Sequence, residues 1–268
     1  MKDSRQGPWR VEFLKIGIIG HKGFVGSAFY DEFSKGGDCE VIGIEKGNLE
    51  TARAHEYDLL VNCNGNSSKR LADKDPALDF QMNVATTLDF LLNFKYGGYV
   101  HISTCEVYAD RSSPQTTGED TPIDPLALSN YGFSKYMAEQ AVKKYAGKWL
   151  ILRLSGMVGK NMSKGPAYDI INLHKLFISE KSRYQYINTA DVASMARKLI
   201  GKGRWGAVYN IVGKGSMELS EVAGIAGAKL KEAGKDVQVF GISTAKIEKE
   251  LGFCPDSEKT IADFCRKK

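Results

Sequence analysis

One short stretch decides how this chain of 268 residues folds: Lys15-Ile16-Gly17-Ile18-Ile19-Gly20-His21-Lys22-Gly23-Phe24-Val25-Gly26. It begins within a mostly apolar run, residues 13–19, which predicts a strand buried on both faces of a parallel sheet. Apolar residues then recur at helical spacing from Phe24 to Phe33, and Gly36-Gly37 predicts the end of that helix. The stretch therefore predicts a buried strand that turns tightly, through glycines, into a helix.

Three glycines at regular spacing mark this turn. Gly20 permits the tight turn, Gly23 lets the backbone approach a pyrophosphate, and Gly26 lets the helix pack closely on the strand. The N-terminus of the helix would stabilise phosphate charge. Because a strand precedes the glycines and a helix follows them, we expect a dinucleotide site, with a ligand-free strand-to-helix turn as the alternative.

An acidic residue, Glu45, follows the second predicted strand. A carboxylate about 20 residues beyond the glycine turn accepts hydrogen bonds from the ribose hydroxyls of NAD and repels the 2′-phosphate of NADP. The neighbouring Lys46 would attract that phosphate instead. We therefore expect NAD as the cofactor and keep NADP as the alternative.

Strands and helices alternate along the remainder of the chain. Strands are predicted at residues 41–44, 59–61, 99–102, 149–154, 186–187 and 208–211, and helices at residues 85–94, 137–145 and 191–200. This alternation predicts an α/β fold, a Rossmann-like doubly wound parallel sheet with a small, reduced C-terminal substrate lobe. The dinucleotide-binding domain is expected at residues 11–155 and 184–213, and the substrate-binding lobe at residues 156–183 and 214–268.

Composition argues against several classes of protein. The net charge of +5 is spread over the chain without a basic stripe, so no nucleic-acid partner is expected. The chain has neither a signal-peptide pattern nor an apolar run of about 20 residues, so we expect a cytoplasmic protein that does not cross a membrane. Its five cysteines form no Cys-x-x-Cys pair and no metal-ligand spacing, which predicts reduced thiols and no metal site.

A tyrosine and a lysine, Tyr131 and Lys135, stand four positions apart. On a helix this spacing puts both side chains on one face, where the ammonium group would lower the pKa of the phenol and make it a usable acid or base. The spacing alone occurs by chance in many helices. It gains weight here because the pair follows the predicted strand at residues 99–102, after which Thr104 supplies a hydroxyl group.

Several short motifs follow one another in a recognisable order. Besides the glycine turn they are Asp75-Pro76, Asn83-Val84, Ser103-Thr104, Val107-Tyr108, Pro125, Tyr131-Gly132-x-Ser134-Lys135, Leu152-Arg153, Asp191-Val192-Ala193 and Tyr209-Asn210. In this order they resemble the extended short-chain dehydrogenases/reductases of the NAD-dependent epimerase/dehydratase family, which mostly act on nucleotide sugars. The resemblance covers residues 15–253.

The resemblance implies a role for each candidate residue. Tyr131 would be the acid/base on a sugar hydroxyl or keto oxygen, Lys135 would tune it and bind the ribose, and Thr104 would hydrogen-bond the reacting oxygen. Cofactor contacts are implied for Gly20, Gly23, Phe24, Val25, Gly26, Glu45, Lys46, Asn64, Gly65, Asn83 and Lys135. Substrate contacts are implied for Ser67, Ser68, Thr104 and Cys105. A homodimer through the helix that bears Tyr131 and the helix at residues 85–94 is also implied.

Glu106 bears on which reaction is catalysed. Dehydratases and sugar-acid decarboxylases of the family have Thr-Asp-Glu or Thr-Ser-Glu at this place, and the glutamate manages a proton beside a transient ketone. The triplet Thr104-Cys105-Glu106 keeps the glutamate, which we therefore count as catalytic, with a solvated or salt-bridged carboxylate as the alternative. Cysteine is no substitute for the aspartic acid as a proton donor, so the triplet is closer to Thr-Ser-Glu. A buried structural thiol is the alternative for Cys105.

The chain departs from the family in its substrate lobe. Residues 159–184 form a shorter segment than is usual, and Tyr184 stands where many relatives have an arginine for the nucleotide diphosphate. Arg183, Lys160 and Lys164 would bind phosphates, or are surface charges on a loop. The unit between Glu45 and Asp58 is also shortened.

Three functions remain open at this point. The leading hypothesis is an NAD(P)-dependent epimerase or dehydratase of a nucleotide sugar, favoured by Glu106. The alternative is an NAD(P)H-dependent 4-ketoreductase of a deoxysugar nucleotide, favoured by the compact lobe. A non-catalytic NAD(P)-binding sensor is disfavoured because Tyr131 and Lys135 are both present.

Overall fold

The computed structural model of the chain describes residues 14–230 and 233–267. Phe13 of the first predicted strand, residues 11–13 of the expected dinucleotide-binding domain, and residues 231, 232 and 268 of the expected lobe lie outside the described residues.

A six-stranded parallel sheet lies at the centre of the molecule. The strands of the described part of the chain are β1 (Leu14–Ile19), β2 (Cys39–Ile44), β3 (Glu56–Asn62), β4 (Lys95–Thr104), β5 (Trp149–Leu154), β6 (Gly156–Val158), β7 (Arg183–Tyr184), β8 (Tyr186–Asn188), β9 (Ala207–Ile211) and β10 (Met217–Glu218). The central sheet has the order β2-β1-β3-β4-β5-β9, and all its neighbours pair in parallel. The other four strands form two short pairs, β6 with β8 and β7 with β10.

Helices connect these strands. They are α1 (Phe24–Phe33), α2 (Leu49–Arg53), α3 (Lys69–Lys74), α4 (Pro76–Phe80), α5 (Thr86–Asn93), α6 (Asn130–Tyr145), α7 (Pro166–Ile171), α8 (Thr189–Gly201), α9 (Leu219–Ala226), α10 (Ala245–Leu251) and α11 (Ser257–Arg266). A π-helical turn, Gln81–Ala85, joins α4 to α5. Single 3₁₀ turns lie at Lys46–Asn48, Cys105–Val107 and Pro125–Ala127. No helix of residues 14–230 and 233–267 is long and apolar enough to span a membrane.

The sheet is covered on both faces because successive residues of a strand point to opposite sides. In β1, Ile18 belongs to a core shared with α1 and α8, whereas Ile19 belongs to a core shared with α5 and α6. Val61 and Leu60 of β3 divide in the same way. Each such side chain stabilises the fold by about 1.5–3 kcal/mol when it is fully buried. This two-sided burial explains why the strands are apolar at successive positions rather than at alternate ones.

A separate apolar cluster forms the core of the lobe. It joins side chains of α7, α9 and α11 to Tyr184, Tyr186 and Phe240. Helix α10, however, packs on the sheet, and its Ile247 is fully buried in the same core as Ile18. Residues 245–251, expected in the lobe, therefore contact the dinucleotide-binding body, and the division of the chain into two parts stays a prediction.

The predicted α/β fold is confirmed, and the order of strands defines where a ligand would lie. The chain winds in opposite directions on either side of β1 and β3, which are neighbours in the sheet. Ligands of open parallel sheets bind at the carboxyl ends of the strands beside such a reversal. The short α2, five residues between β2 and β3, agrees with the predicted shortening after Glu45.

A buried ion pair ties α6 to the sheet. Glu139 of α6 and Arg153 of β5 are 0% and 1% exposed, and the guanidinium donates from Nε and Nη2 to the two carboxylate oxygens at 2.9 and 2.7 Å. Ser103 of β4 donates to the same carboxylate at 2.6 Å, and Arg153 also donates to the Tyr108 hydroxyl at 2.8 Å. Three elements thus meet at one carboxylate.

We expect Glu139→Gln to lower the free energy of unfolding by about 3–5 kcal/mol, because it leaves a buried guanidinium without its counter-charge. Removing the pair as a unit, in Glu139→Leu with Arg153→Met, should cost less than the single change. Urea denaturation followed by circular dichroism measures both.

An exposed ion pair supplies the control. Lys35 contacts Glu32 at 2.7 Å with 65% of its side chain exposed, so Lys35→Gln should change stability by less than about 1 kcal/mol. A loss at Glu139→Gln no larger than the loss at Lys35→Gln would contradict the role given to the buried pair.

Candidate active site

A cavity of about 470 Å³ opens at the carboxyl ends of the central strands. The end of the glycine turn, the loop after β3 and the ends of β4 and β5 form one side of it, together with the start of α6. Residues from the second half of the chain, among them Lys164, Tyr184 and Phe240, complete its lining. The cavity therefore lies at the strand reversal between β1 and β3.

The glycine turn has the backbone that a dinucleotide requires. Gly20 has φ +77°, a left-handed conformation that favours glycine. A Cβ atom at Gly26 would overlap the carbonyl oxygen of Gly20, so only glycine lets α1 approach β1 this closely. Gly23 caps α1 without a side-chain hydrogen bond to the first turn, and Gly23, Phe24 and Val25 line the cavity. The N–H of Gly23 donates to the Gly20 carbonyl at 2.9 Å, so the N–H groups that face a pyrophosphate are those of the first turn of α1, at Phe24 and Val25.

Glu45 lies beside the glycine turn but not on the cavity wall. Its carboxylate accepts a hydrogen bond from Lys22 Nζ at 2.7 Å and lies 3.7 Å from His21 Nδ1. Lys46 follows, exposed, in a single 3₁₀ turn. Both predicted residues thus border the expected place of the adenosine ribose, and Lys22 adds a cation that sequence reasoning did not include.

The loop after β3 supplies two of the predicted cofactor contacts. Asn64 and Gly65 line the cavity, and Gly65 has φ +134°. Asn83 lies behind Gly65, where its Oδ1 atom would be 2.6 Å from a Cβ at that position. Its amide nitrogen donates to Asp79 at 2.8 Å. Asn83 is 2% exposed and supports the loop from below, and its contact with the cofactor stays a prediction.

Thr104, Tyr131 and Lys135 come together on the cavity wall. Thr104 ends β4, and the other two lie on the first turns of α6, which begins at the N-cap Ser129. Gly132 allows this approach, since a Cβ there would overlap the carbonyl oxygen of Glu106. Lys135 Nζ donates to the Ile102 carbonyl at 2.7 Å. The predicted neighbours therefore share one site.

Lys135 was expected to lower the pKa of Tyr131, and the structure does not show this effect. Burial raises the pKa of the Tyr131 phenol well above its ordinary value, the Glu106 carboxylate raises it further, and the nearby Thr104 hydroxyl opposes the rise. Burial lowers the pKa of Lys135 to about 8, against the opposing charges of Glu139 and Asp79. The Lys135 ammonium donates to the Ile102 carbonyl instead, and burial favours the protonated form of the Tyr131 phenol.

Glu106 is held between two cations. Lys69 Nζ contacts one carboxylate oxygen, and Arg111 Nη2 lies 3.4 Å from the other. The carboxylate is 6% exposed and lines the cavity. The salt-bridged alternative for Glu106 therefore describes its surroundings, although it lies beside Tyr131 as expected of a catalytic residue.

Two residues expected to contact the substrate lie away from the cavity. Ser68 is the N-cap of α3, where its hydroxyl accepts from Leu71 N at 3.2 Å. Cys105 is fully buried, with Sγ 3.6 Å from the Arg153 carbonyl. These expectations are corrected, and the structural-thiol alternative describes Cys105. Ser67, by contrast, lines the cavity and accepts from Lys164 at 2.8 Å.

The side chains of Lys160 and Arg183 contact groups outside the cavity. Lys160 pairs with Asp31 of α1 at 2.9 Å. Arg183 donates to the Ser216 carbonyl at 2.9 Å and to Glu218 at 3.1 Å. Neither side chain is among those that line the cavity, and their contacts with substrate phosphates stay a prediction.

Sequence reasoning missed the aromatic wall. Tyr184 stacks on Phe240 with ring centroids 4.6 Å apart, and Tyr186 continues the stack at 6.1 Å from Tyr184. All three line the cavity. The position of Tyr184, where relatives have arginine, was the one available signal. Phe240 lies in a segment without regular spacing, so nothing in the sequence pointed to it.

No cluster of residues that could hold a metal ion occurs among the residues that the structure describes.

Enzymes of known structure that share this fold catalyse different reactions. A dTDP-4-dehydrorhamnose reductase from Bacillus anthracis, in complex with NADP, superposes with a TM-score of 0.81 at 19% identity, over 97% of this chain and 100% of that one. A UDP-glucose 4-epimerase from Thermotoga maritima gives 0.79 at 19% identity, over 94% and 98%. A dTDP-glucose 4,6-dehydratase from Bacillus anthracis, in complex with NAD, gives 0.73 at 20% identity, over 94% and 96%. At these identities the likeness establishes the fold alone.

No curated protein matches the chain. The sequence profile of a family, described as "NAD dependent epimerase/dehydratase family", matches residues 16–212, which is well over half of the 268 residues. The match includes the glycine turn, Thr104, Tyr131 and Lys135, and it confirms the expected nicotinamide dependence at the level of the family. This chain belongs to the NAD dependent epimerase/dehydratase family.

Proposed function

We propose that the protein is a nicotinamide-dependent reductase of a keto group on a nucleotide sugar. The observation that carries this proposal is the placement of the Tyr131 phenol beside the Thr104 hydroxyl on the cavity wall, where burial raises the pKa of the phenol and favours its protonated form. A neutral phenol is ready to donate a proton to a ketone oxygen, which is what reduction requires. Oxidation of an alcohol would require the phenolate instead.

The surroundings of Glu106 support the same direction. An eliminating enzyme needs a carboxylate free to remove a proton from carbon, and both oxygens of Glu106 contact cations. We therefore place the ketoreductase ahead of the dehydratase. The short segment between Gly159 and Tyr184, which predicts a compact lobe, favours the ketoreductase over the epimerase.

The cofactor fits the chain where the glycine turn meets the cavity. The N–H groups of Phe24 and Val25, at the start of α1, would bind the pyrophosphate, and Lys135 would hold the ribose next to the nicotinamide. The reduced nicotinamide, when bound, supplies the hydride. Tyr131 donates its proton to the substrate oxygen, and Thr104 hydrogen-bonds that oxygen while the proton moves.

A nucleotide sugar is the substrate class that family membership favours. Members crystallised with this fold include a UDP-glucose 4-epimerase with UDP-glucose bound. In this chain Lys164 reaches the cavity from the lobe and donates to Ser67. Burial lowers the pKa of Lys164, and a substrate phosphate would favour its charged form.

Tyr131→Phe should reduce kcat by about 100-fold or more, because general acid catalysis by a positioned side chain contributes 10²–10⁴-fold. Oxidation of NADH or NADPH at 340 nm measures it, with a dTDP-linked 4-keto-6-deoxy sugar as substrate. The cofactor affinity of the variant should stay close to that of the unaltered protein, since the phenol oxygen is not needed for it.

Tyr145→Phe is the matched control, because Tyr145 lies on the same helix and is 46% exposed. Product formed without net change at 340 nm would reject the reductase in favour of a recycling epimerase or dehydratase. Unchanged turnover in Tyr131→Phe would contradict the role of the phenol.

The value of kcat/KM should fall above about pH 8. Lys135 carries its charge below its pKa of about 8 and loses it above that value, so its hold on the ribose should weaken as the pH rises. The kcat/KM profile is the measurement, because it reports ionisations of the free enzyme.

Lys135→Arg should move this alkaline limb to higher pH, since a guanidinium stays charged. The same exchange at Lys144, exposed on the same helix, should leave the profile unchanged. A limb near pH 8 that persists in Lys135→Arg would assign it to another group.

A further inference from the structure

Asp79 is a buried carboxylate that forms no ion pair within the described part of the chain. It lies on α4 and is 0% exposed. Its Oδ1 atom accepts from Asn66 Nδ2 at 2.6 Å and from Asn83 Nδ2 at 2.8 Å, whereas Oδ2 has no hydrogen-bond partner among the described residues. A carboxylate in such a place is costly unless it faces a positive charge.

The two amides that hold Asp79 connect it to the active site. Asn83 Oδ1 would be 2.6 Å from a Cβ atom at Gly65, and Lys135 Nζ would be 3.9 Å from the same Cβ. Asn83 and Lys135 therefore converge beneath the loop that follows β3. Asn66, the other amide, lines the cavity. Asp79 thus lies one side chain behind the wall of the site, on a helix that packs against α6.

The titratable groups that face Lys135 come from several parts of the chain. Burial lowers the pKa of Lys135 to about 8, and Glu139 of α6, Asp79 of α4 and Cys63 after β3 oppose this change. His101 of β4 also lies near the ammonium. Burial raises the pKa of Cys63 and lowers the pKa of His101, so both side chains are uncharged at neutral pH. The charge of Lys135 therefore depends on two carboxylates.

These two carboxylates differ in their own partners. Both oxygens of Glu139 accept from Arg153, at 2.9 and 2.7 Å, so a guanidinium balances much of that charge. Asp79, in contrast, accepts from neutral amides. A charge that no cation balances acts strongly on a buried neighbour, because the surroundings screen it poorly. Lys135 is therefore the cation toward which the charge of Asp79 acts.

Asp79 acts on the phenol of the site as well. Burial and the Glu106 carboxylate raise the pKa of Tyr131, the Thr104 hydroxyl opposes the rise, and Asp79 adds to it. One buried carboxylate thus favours the protonated forms of both Tyr131 and Lys135. The proposed reduction requires these forms, a phenol that can donate a proton and a charged ammonium that holds the ribose.

We propose that Asp79 is the buried counter-charge of Lys135 and a positioning residue for the bound cofactor. It lies behind the cavity wall and acts through Lys135, whose ammonium it holds charged beneath the loop of Asn64 and Gly65. The inference rests on the proposed function only in the task given to Lys135, which is to hold the ribose next to the nicotinamide. It applies to reduction and to epimerisation alike.

Cofactor affinity measured across pH tests this inference without turnover. The dissociation constant of NADH is obtained from the fluorescence of the bound nicotinamide. In the unaltered protein the affinity should fall above about pH 8, where Lys135 loses its charge. Asp79→Asn keeps the size of the side chain and removes its charge, so the midpoint of this fall should move about one unit to lower pH. Asp79→Ser is a second neutral variant, with the same expected direction, in case the asparagine protein does not fold.

Three variants separate the charge of Asp79 from its structural contacts. Asn66→Ala removes a hydrogen-bond donor and leaves the charge, so it should weaken NADH binding equally at every pH. Asp73→Asn removes an exposed carboxylate of the neighbouring α3, which water screens, and should leave the midpoint in place. In a Lys135→Arg background Asp79→Asn should move no midpoint, because a guanidinium stays charged.

A midpoint that the neutral variants of Asp79 leave in place would overturn this inference. Loss of affinity by the same factor at every pH would overturn it too, since a merely structural role predicts that result. The proposed function fails on a different observation, which is a protein that binds NADH or NADPH and reduces no nucleotide-linked keto sugar.

Discussion

The buried pair of Glu139 and Arg153 is the interaction on which the site depends. It joins α6 to β5, and through Ser103 it also joins β4. Lys135 lies one helical turn before Glu139, and its charge is stabilised by that carboxylate. The same pair therefore fixes the position of α6 on the sheet, and its carboxylate favours the charged form of the buried Lys135. Low polarity around the pair makes each partner costly to remove alone.

Two sets of polar side chains line the cavity in different electrostatic surroundings. The Tyr131 phenol, the Thr104 hydroxyl and Lys135, whose pKa burial lowers, line one part of it. In another part, Lys69 and Arg111 pair with Glu106 and lie against the Phe240 ring. Proton transfer requires groups that can change protonation, whereas these ion pairs and ring contacts fix the position of Glu106.

Much of this arrangement could be predicted from local sequence. The glycines at 20 and 26 are needed for a turn and a close approach that involve residues only a few positions apart. The spacing of Tyr131 and Lys135 places them on one helical face for the same reason. Kinship was a weaker guide to single side chains, as with Cys105, because that thiol is fully buried and lies against the Arg153 carbonyl.

The sequence by itself determined the parallel sheet, its glycine turn and the family, since these depend on spacing within single elements. Only the tertiary structure decided what surrounds Glu106. Lys69, Arg111 and Phe240 come from three distant parts of the chain and meet at one carboxylate. Periodicity reports which face of an element is buried, but it does not report which side chains of other elements lie against that face. The choice between reduction and elimination depends on those contacts.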